Sequence, residues 1–114
     1  MVDDSAVARK LLIRSLPKTW EANVGQAGGG EDAVTACRAE APDIMFLDLN
    51  MPGLDGYGVL KELQGSALPA IIVVSADIQP QAQERVLAMG AKAFVKKPST
   101  SAEIEATLRA CGLF

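Results

Sequence analysis

The chain has 114 residues, 49% of them apolar and 22% charged, which suits one compact domain of roughly 100 to 150 residues and leaves no room for a second catalytic or DNA-binding module. Eleven Lys and Arg against 14 Asp and Glu give a net charge of −3, the wrong sign for direct nucleic-acid binding. No apolar run approaches the ~20 residues of a membrane span and the start MVDDSAVARK lacks a signal-peptide core, so no membrane contact and a cytoplasmic location are expected.

In chain order, Val2 reads as the last residue of a strand ahead of the acidic pair Asp3-Asp4. Ala8, Leu11, Leu12 and Leu16 then share a helix face, capped by Asp4 or Ser5 and stopped at Pro17. A weaker strand is predicted over about Trp20 to Ala27, before the Gly28-Gly29-Gly30 break. Ala33, Val34, Cys37 and Ala41 form a second helical stripe ended by Pro42, and Ile44 to Leu47 is a short apolar run that predicts a buried strand. Leu60 and Leu63 anchor a third helix, followed by the β-branched run Ala70 to Val74. Ala82, Val86 and Met89 stripe a fourth helix before Gly90, Ala93 to Val95 predicts another strand, and Ile104, Leu108 and Cys111 stripe a fifth helix before Gly112. Helices alternating with buried strands predict an α/β fold, a parallel sheet covered on both faces.

The chain contains no histidine, which excludes Ser-His-Asp and Cys-His catalysis and removes the usual zinc ligands. Cys37 and Cys111 lack CxxC spacing and lie on apolar stripes, so they read as packing residues. In open parallel sheets functional groups collect beyond the carboxyl ends of the strands. Asp48 follows the first apolar run, Ser75 the second and Lys97 the third, while Asp3-Asp4 follows Val2. Three carboxylates at one sheet edge repel one another unless a raised pKa or a bound cation relieves them, and an all-oxygen donor set favours Mg²⁺ or Mn²⁺. A carboxylate beside such an ion can attack phosphorus, with lysine and hydroxyl donors binding the phosphoryl oxygens.

Plainer readings exist for each residue taken alone. Asp3-Asp4 would serve as a helix N-terminal cap, Asp48 as a turn residue, Ser75 as a cap ahead of the helix near Gln79, Phe94 as core, and Lys96 as a solvated charge. The glycine triplet lacks the GxxxxGK[ST] pattern and reads as a loop.

Taken together, Asp3-Asp4, the segment Asp48-Leu49-Asn50-Met51-Pro52-Gly53-Leu54-Asp55-Gly56, Ser75-Ala76 and Lys97-Pro98 resemble the motifs of the response-regulator receiver domain of two-component signalling, over Val2 to about Leu113. The resemblance implies a flavodoxin-like doubly wound sheet of strand order 2-1-3-4-5. It also implies a single receiver domain over residues 1–114. Asp48 would accept a phosphoryl group from the phosphohistidine of a sensor histidine kinase or phosphotransfer protein. Mg²⁺ would be bound by Asp4, Asp48, the backbone carbonyl of Asn50 and, mostly through water, Asp3. Lys97 would pair with the phosphoryl group, Ser75 would donate its hydroxyl to it, and Phe94 falls where the family places its switch aromatic. The Lys97-Pro98 peptide is cis in the family, which an X-Pro bond tolerates.

The sequence departs from the family at its first strand, where only Met1 and Val2 precede the acidic pair. The first strand therefore reads as truncated, and the expected consequence is either self-association through a strand borrowed from another copy, or a gapped or rearranged sheet with Asp3-Asp4 poorly placed for metal. The output is expected to be a downstream protein target or an output domain that is left out. A haloacid-dehalogenase-like Mg²⁺-dependent phosphatase is the rival reading, but that family needs a second Asp two residues after its nucleophile, where this chain has Asn50.

Overall fold

The β-branched and apolar run at the centre of the chain forms the middle of a parallel sheet because both of its faces can be buried. In this computed structural model, residues 1–17, 24–40, 42–64, 69–76, 79–97 and 99–113 are described. The strands are β1 (Ile44–Leu47), β2 (Ala70–Ser75) and β3 (Ala93–Lys96), parallel and in the order β1-β2-β3. Leu47 registers with Val73, Val73 with Phe94, and Ser75 with Lys96. The helices are α1 (Ala6–Arg14), α2 (Gly30–Ala39), α3 (Gly56–Leu63), α4 (Pro80–Ala88) and α5 (Ser101–Ala110).

Side-chain alternation along the strands builds two cores. Met45, Leu47, Ile71 and Val73 face one side with Val34 and Cys37 of α2, Leu60 and Leu63 of α3 and Val86 of α4. Phe46, Ile72 and Val74 face the other with Ile104 and Leu108 of α5, against which Leu12 and Leu16 pack. Local signals start the helices where the sequence places them: Ser5 Oγ accepts from Ala8 N–H at 3.2 Å, Asp55 Oδ1 from Gly58 N–H at 2.9 Å, and Thr100 Oγ1 from Glu103 N–H at 3.1 Å. Gly90 and Gly112, at φ of 107° and 72°, turn the chain after α4 and α5.

The first strand departs from expectation in an informative way. Among the described residues Val2 alone bridges in parallel to both Ala27 and Leu47, so the spatial order runs Ala27, Val2, β1, β2, β3, as the 2-1-3-4-5 topology requires. The acidic pair is not displaced. Val2 N–H donates to Phe46 O at 2.8 Å and Val2 O accepts from Asp48 N–H at 2.9 Å, while Met1 O accepts from Ala27 N–H at 2.9 Å and Asp3 N–H donates to Ala27 O at 3.2 Å. The last residue of the strand thus sets the register for everything after it. Of the predicted strand over Trp20 to Ala27, residues 18–23 lie outside the described set, as does Ala41 of the second stripe.

A second difference concerns α1, which has no buried residue. Leu11 is 58% exposed. At 3.6 residues per turn, Ala8, Leu12 and Leu16 span about 80° and Leu11 lies about 100° from their centre. Beneath α1 is a cleft of about 340 Å³ whose walls include Leu12, Phe46 and Val74.

The glycine-rich segment also does more than loop. Gly30 is the buried first residue of α2, where a Cβ would stand 2.1 Å from the Leu54 carbonyl oxygen, and a Cβ on Gly56 would stand 2.5 Å from that of Asp48. Both helices can therefore start against the loop that follows β1.

Candidate functional site

The carboxyl ends of the strands deliver the predicted side chains to one place. Asp48 follows β1 and is 7% exposed, Asp3 follows the Val2 bridge at 8%, Ser75 ends β2 fully buried, and Lys97 follows β3. Asp4 is exposed, at the entrance to α1. Carboxylate oxygens of Asp3, Asp4 and Asp48 all lie within 4.8 Å of one another.

Lys97 holds this negative charge in place. Its Nζ donates to Asp3 Oδ2 at 2.6 Å and stands 3.6 Å from Asp48 Oδ1. Pairing between Ser75 and Lys96 sets that geometry, and Lys97 N–H donates to Ser75 O at 2.9 Å. Asp3 is fixed at several atoms: Oδ1 accepts from Ser5 N–H at 2.9 Å, and its carbonyl accepts from Arg9 Nη1. Arg9 also donates from Nε to Gln26 Oε1 at 3.0 Å. Sequence reading passes over Arg9, since nothing in an α1 arginine signals that it folds back onto the acidic pair.

Burial pushes the Asp48 carboxyl above its ordinary value of 3.8; Lys97 opposes this, Asp3 adds to it, and the Asn50 and Leu49 backbone N–H groups oppose it. A raised folded-state pKa means that ionised Asp48 costs stability above that range, and that the cost disappears as pH falls below the unfolded value. The Asp48→Asn variant is therefore expected to melt a few degrees higher than the parent at pH 7.5 without metal, with the gap closing toward pH 3.5. Thermal unfolding followed by circular dichroism at the two pH values checks this. An equal or lower melting point at pH 7.5 would show that Lys97 and the backbone donors outweigh burial.

Of the remaining predicted residues, Asn50 is exposed just beyond Asp48, and Phe94 is half-buried on β3 against the core on the α3 and α4 side. Pro98 lies outside the described residues, and with it the expected cis peptide. The donor set around Asp48 is all oxygen, compact and short of positive charge, which fits Mg²⁺.

The family model for the response regulator receiver domain matches residues 1–109. The chain belongs to the response-regulator receiver family. A solved receiver domain of the putative response regulator NarL from Mycobacterium tuberculosis superposes with a TM-score of 0.86 at 32% identity, over 97% of this chain and 92% of that one. The signal receiver domain of a putative Luxo repressor protein from Vibrio parahaemolyticus also reaches 0.86, at 22% identity over 98% of this chain and 89% of that one, and supports the fold. Among curated relatives, a protein-glutamate methylesterase/protein-glutamine glutaminase of Symbiobacterium thermophilum is 39% identical over 104 residues, or 89% of this chain and 29% of that protein. A probable transcriptional regulator ycf27 of Guillardia theta is 37% identical over 110 residues, 96% of this chain and 43% of that protein. The chain thus spans less than half the length of either curated relative.

The matched region is a phosphoacceptor receiver domain, a signalling element, and the family match goes against the phosphatase alternative. The geometry of its Asp3, Asp4 and Asp48 cluster matches the Mg²⁺-coordinating site of that domain. Among the described residues no helix is long and apolar enough to cross a membrane.

Proposed function

We propose that Asp48 is the phospho-acceptor, and that residues 1–114 act as one receiver module that takes its phosphoryl group from a histidine kinase or phosphotransfer protein. The observation that carries this reading is the buried Asp48 carboxylate at the end of β1, between the acidic partners Asp3 and Asp4 and the Lys97 ammonium. An Asp48 carboxylate oxygen attacks phosphorus, the P–O bond forms as the donor's P–N bond breaks, and the P–N electron pair stays on the imidazole, which leaves neutral because its other ring nitrogen carries a proton. Mg²⁺, when bound, neutralises charge on the phosphoryl oxygens. Asp4, Asp48 and the Asn50 carbonyl would hold it, and Asp3 would act mostly through water, a role supported by its two carboxylate oxygens already accepting from Ser5 and Lys97. Lys97 turns from Asp3 to the phosphoryl group as charge arrives on Asp48, and the Ser75 hydroxyl donates to the same group. Incubation with acetyl phosphate and Mg²⁺, followed by mass spectrometry, tests the assignment: one added phosphoryl group on Asp48 is expected, and labelling elsewhere overturns it.

Ser75 and Phe94 form the switch in this reading. Drawing the Ser75 hydroxyl toward the phosphoryl group vacates space that Phe94 fills by turning inward, which alters the surface of α4, β3 and α5. The half-buried position of Phe94 on the strand paired with β2 supports it. Ligand-driven change of this kind requires differential contacts in the two states. Ring resonances of Phe94 should shift on adding beryllofluoride with Mg²⁺, and unchanged resonances overturn the coupling.

The altered surface addresses a downstream protein or an attached output domain, in the cytoplasm. Self-association is a further part of the proposal. Among the described residues Val2 alone bridges Ala27 and β1, beside a groove of about 1030 Å³ bordered by Gly25, Gln26, Ile44 and Met45. An extended strand from a second copy fits between such edges. Sedimentation velocity should show a concentration-dependent dimer, and a monomer at all concentrations removes this part.

A further inference from the structure

We propose that Arg9 is a positioning residue for the Mg²⁺ site, acting through the backbone of Asp3. The inference rests on the metal site described above and concerns a side chain outside its ligand set. Asp3 follows the Val2 bridge to Ala27 and Leu47. Its N–H donates to Ala27 O at 3.2 Å, and its carbonyl points back toward α1, where Arg9 Nη1 donates to it. The same guanidinium donates from Nε to Gln26 Oε1 at 3.0 Å, and Nη1 stands 3.7 Å from where a Cβ on Gly28 would lie. Arg9 therefore ties three segments together: the first turns of α1, the acidic pair, and the chain that enters α2. A planar guanidinium can make both bonds at once, whereas an ammonium on a flexible stem cannot hold both acceptors in a fixed geometry.

Charge and position act in opposite directions here, which makes the proposal decidable. Arg9 is a cation beside a cation site, so removing its charge alone would tighten Mg²⁺ binding. If its main role is to hold the Asp3 backbone, removing it lets the carboxylate leave the cluster and binding weakens. Partners that orient metal ligands commonly matter at the tenfold level or more.

The test measures Mg²⁺ affinity by isothermal titration calorimetry, with Mn²⁺ electron paramagnetic resonance as a second readout, well below the melting temperature of each variant. Arg9→Ala should weaken Mg²⁺ binding about tenfold, and Arg9→Lys should weaken it although the charge is kept. Gln26→Ala removes an exposed acceptor and should fold normally while weakening binding a few-fold; with Arg9→Ala it should add little, since both cut the same tie. A residue with a purely structural role would lower the metal-free melting temperature and leave the affinity of the folded protein unchanged. Unchanged or tighter binding in Arg9→Ala and Arg9→Lys overturns the proposal. Should Arg9→Ala fail to fold, Arg9→Lys and Gln26→Ala decide it by the same criterion. The parent's own isotherm separates the two levels, because a parent that binds no Mg²⁺ overturns the metal site itself.

Discussion

Asp48→Asn should abolish phosphorylation by acetyl phosphate in the presence of Mg²⁺, with no phosphoryl group detected where the parent takes up one. The carboxamide has no anionic oxygen to attack phosphorus, and the variant keeps the shape of the site. Nearby carboxylates do not substitute. Asp3 is committed to Ser5 N–H and Lys97, and Asp4 is exposed beyond the strand end. The parent's product should be an acyl phosphate, so hydroxylamine should release the phosphoryl group and leave a hydroxamate at residue 48. The same variant is expected to be the more stable protein without metal, because burial raises the cost of an ionised Asp48. Loss of labelling in a better-folded protein separates chemistry from stability. A variant that labels at the parent's rate would move the acceptor to another residue.

The parts of this protein that the sequence reveals are those governed by short-range periodicity. β1 falls on the predicted Ile44 to Leu47, and β2 and β3 each extend one residue past their apolar runs, to Ser75 and Lys96. Of those extra residues Ser75 stays fully buried at the sheet's carboxyl edge, while Lys96 is exposed. The glycines after α4 and α5 end those helices as predicted, since only a positive φ continues the chain there. The gathering of Asp3, Asp48, Ser75 and Lys97 is legible for the same reason: each lies just past an apolar run, and parallel strands bring those points together.

What the sequence conceals depends on angles and reach across the fold. Leu11 looks like part of a buried stripe, but it is 58% exposed and lines the cleft beneath α1 together with Leu12. Gly30 looks like loop punctuation, and only the approach of Leu54 shows why a side chain is excluded. The brevity of the first strand suggests a displaced acidic pair, yet backbone bonds from Met1, Val2 and Asp3 are enough to set their register. Lys97 reads from sequence as a partner for a phosphoryl group on Asp48, whereas the structure holds it nearer Asp3. In that position its charge offsets those of Asp3 and Asp48.

That arrangement makes Lys97→Met destabilising for the metal-free fold. Methionine keeps most of the stem's packing and removes the ammonium, leaving Asp3 and Asp48, 11% and 9% exposed at the side chain, with no cation within 4 Å among the described residues. Breaking a buried ion pair by removing one partner costs about 3 to 5 kcal/mol. Lys97 is 28% exposed, so solvent screening reduces this to about 2 kcal/mol, or roughly 10 °C in melting temperature for a domain of this size. The deficit belongs to ionised carboxylates, so it should shrink as pH falls through the raised range of Asp48 toward 3.8 and below. It should also shrink in saturating Mg²⁺, because the divalent ion supplies the missing charge, and Mg²⁺ should bind the variant more tightly than the parent once Lys97 no longer competes for Asp3. Lys97→Arg retains the charge and should recover most of the metal-free stability. Melting curves for parent and both variants at pH 7.5 and pH 4, with and without Mg²⁺, give the answer. A Lys97→Met deficit that persists unchanged at low pH and in Mg²⁺ would mean that the lysine stem, rather than its charge, holds this end of the sheet together.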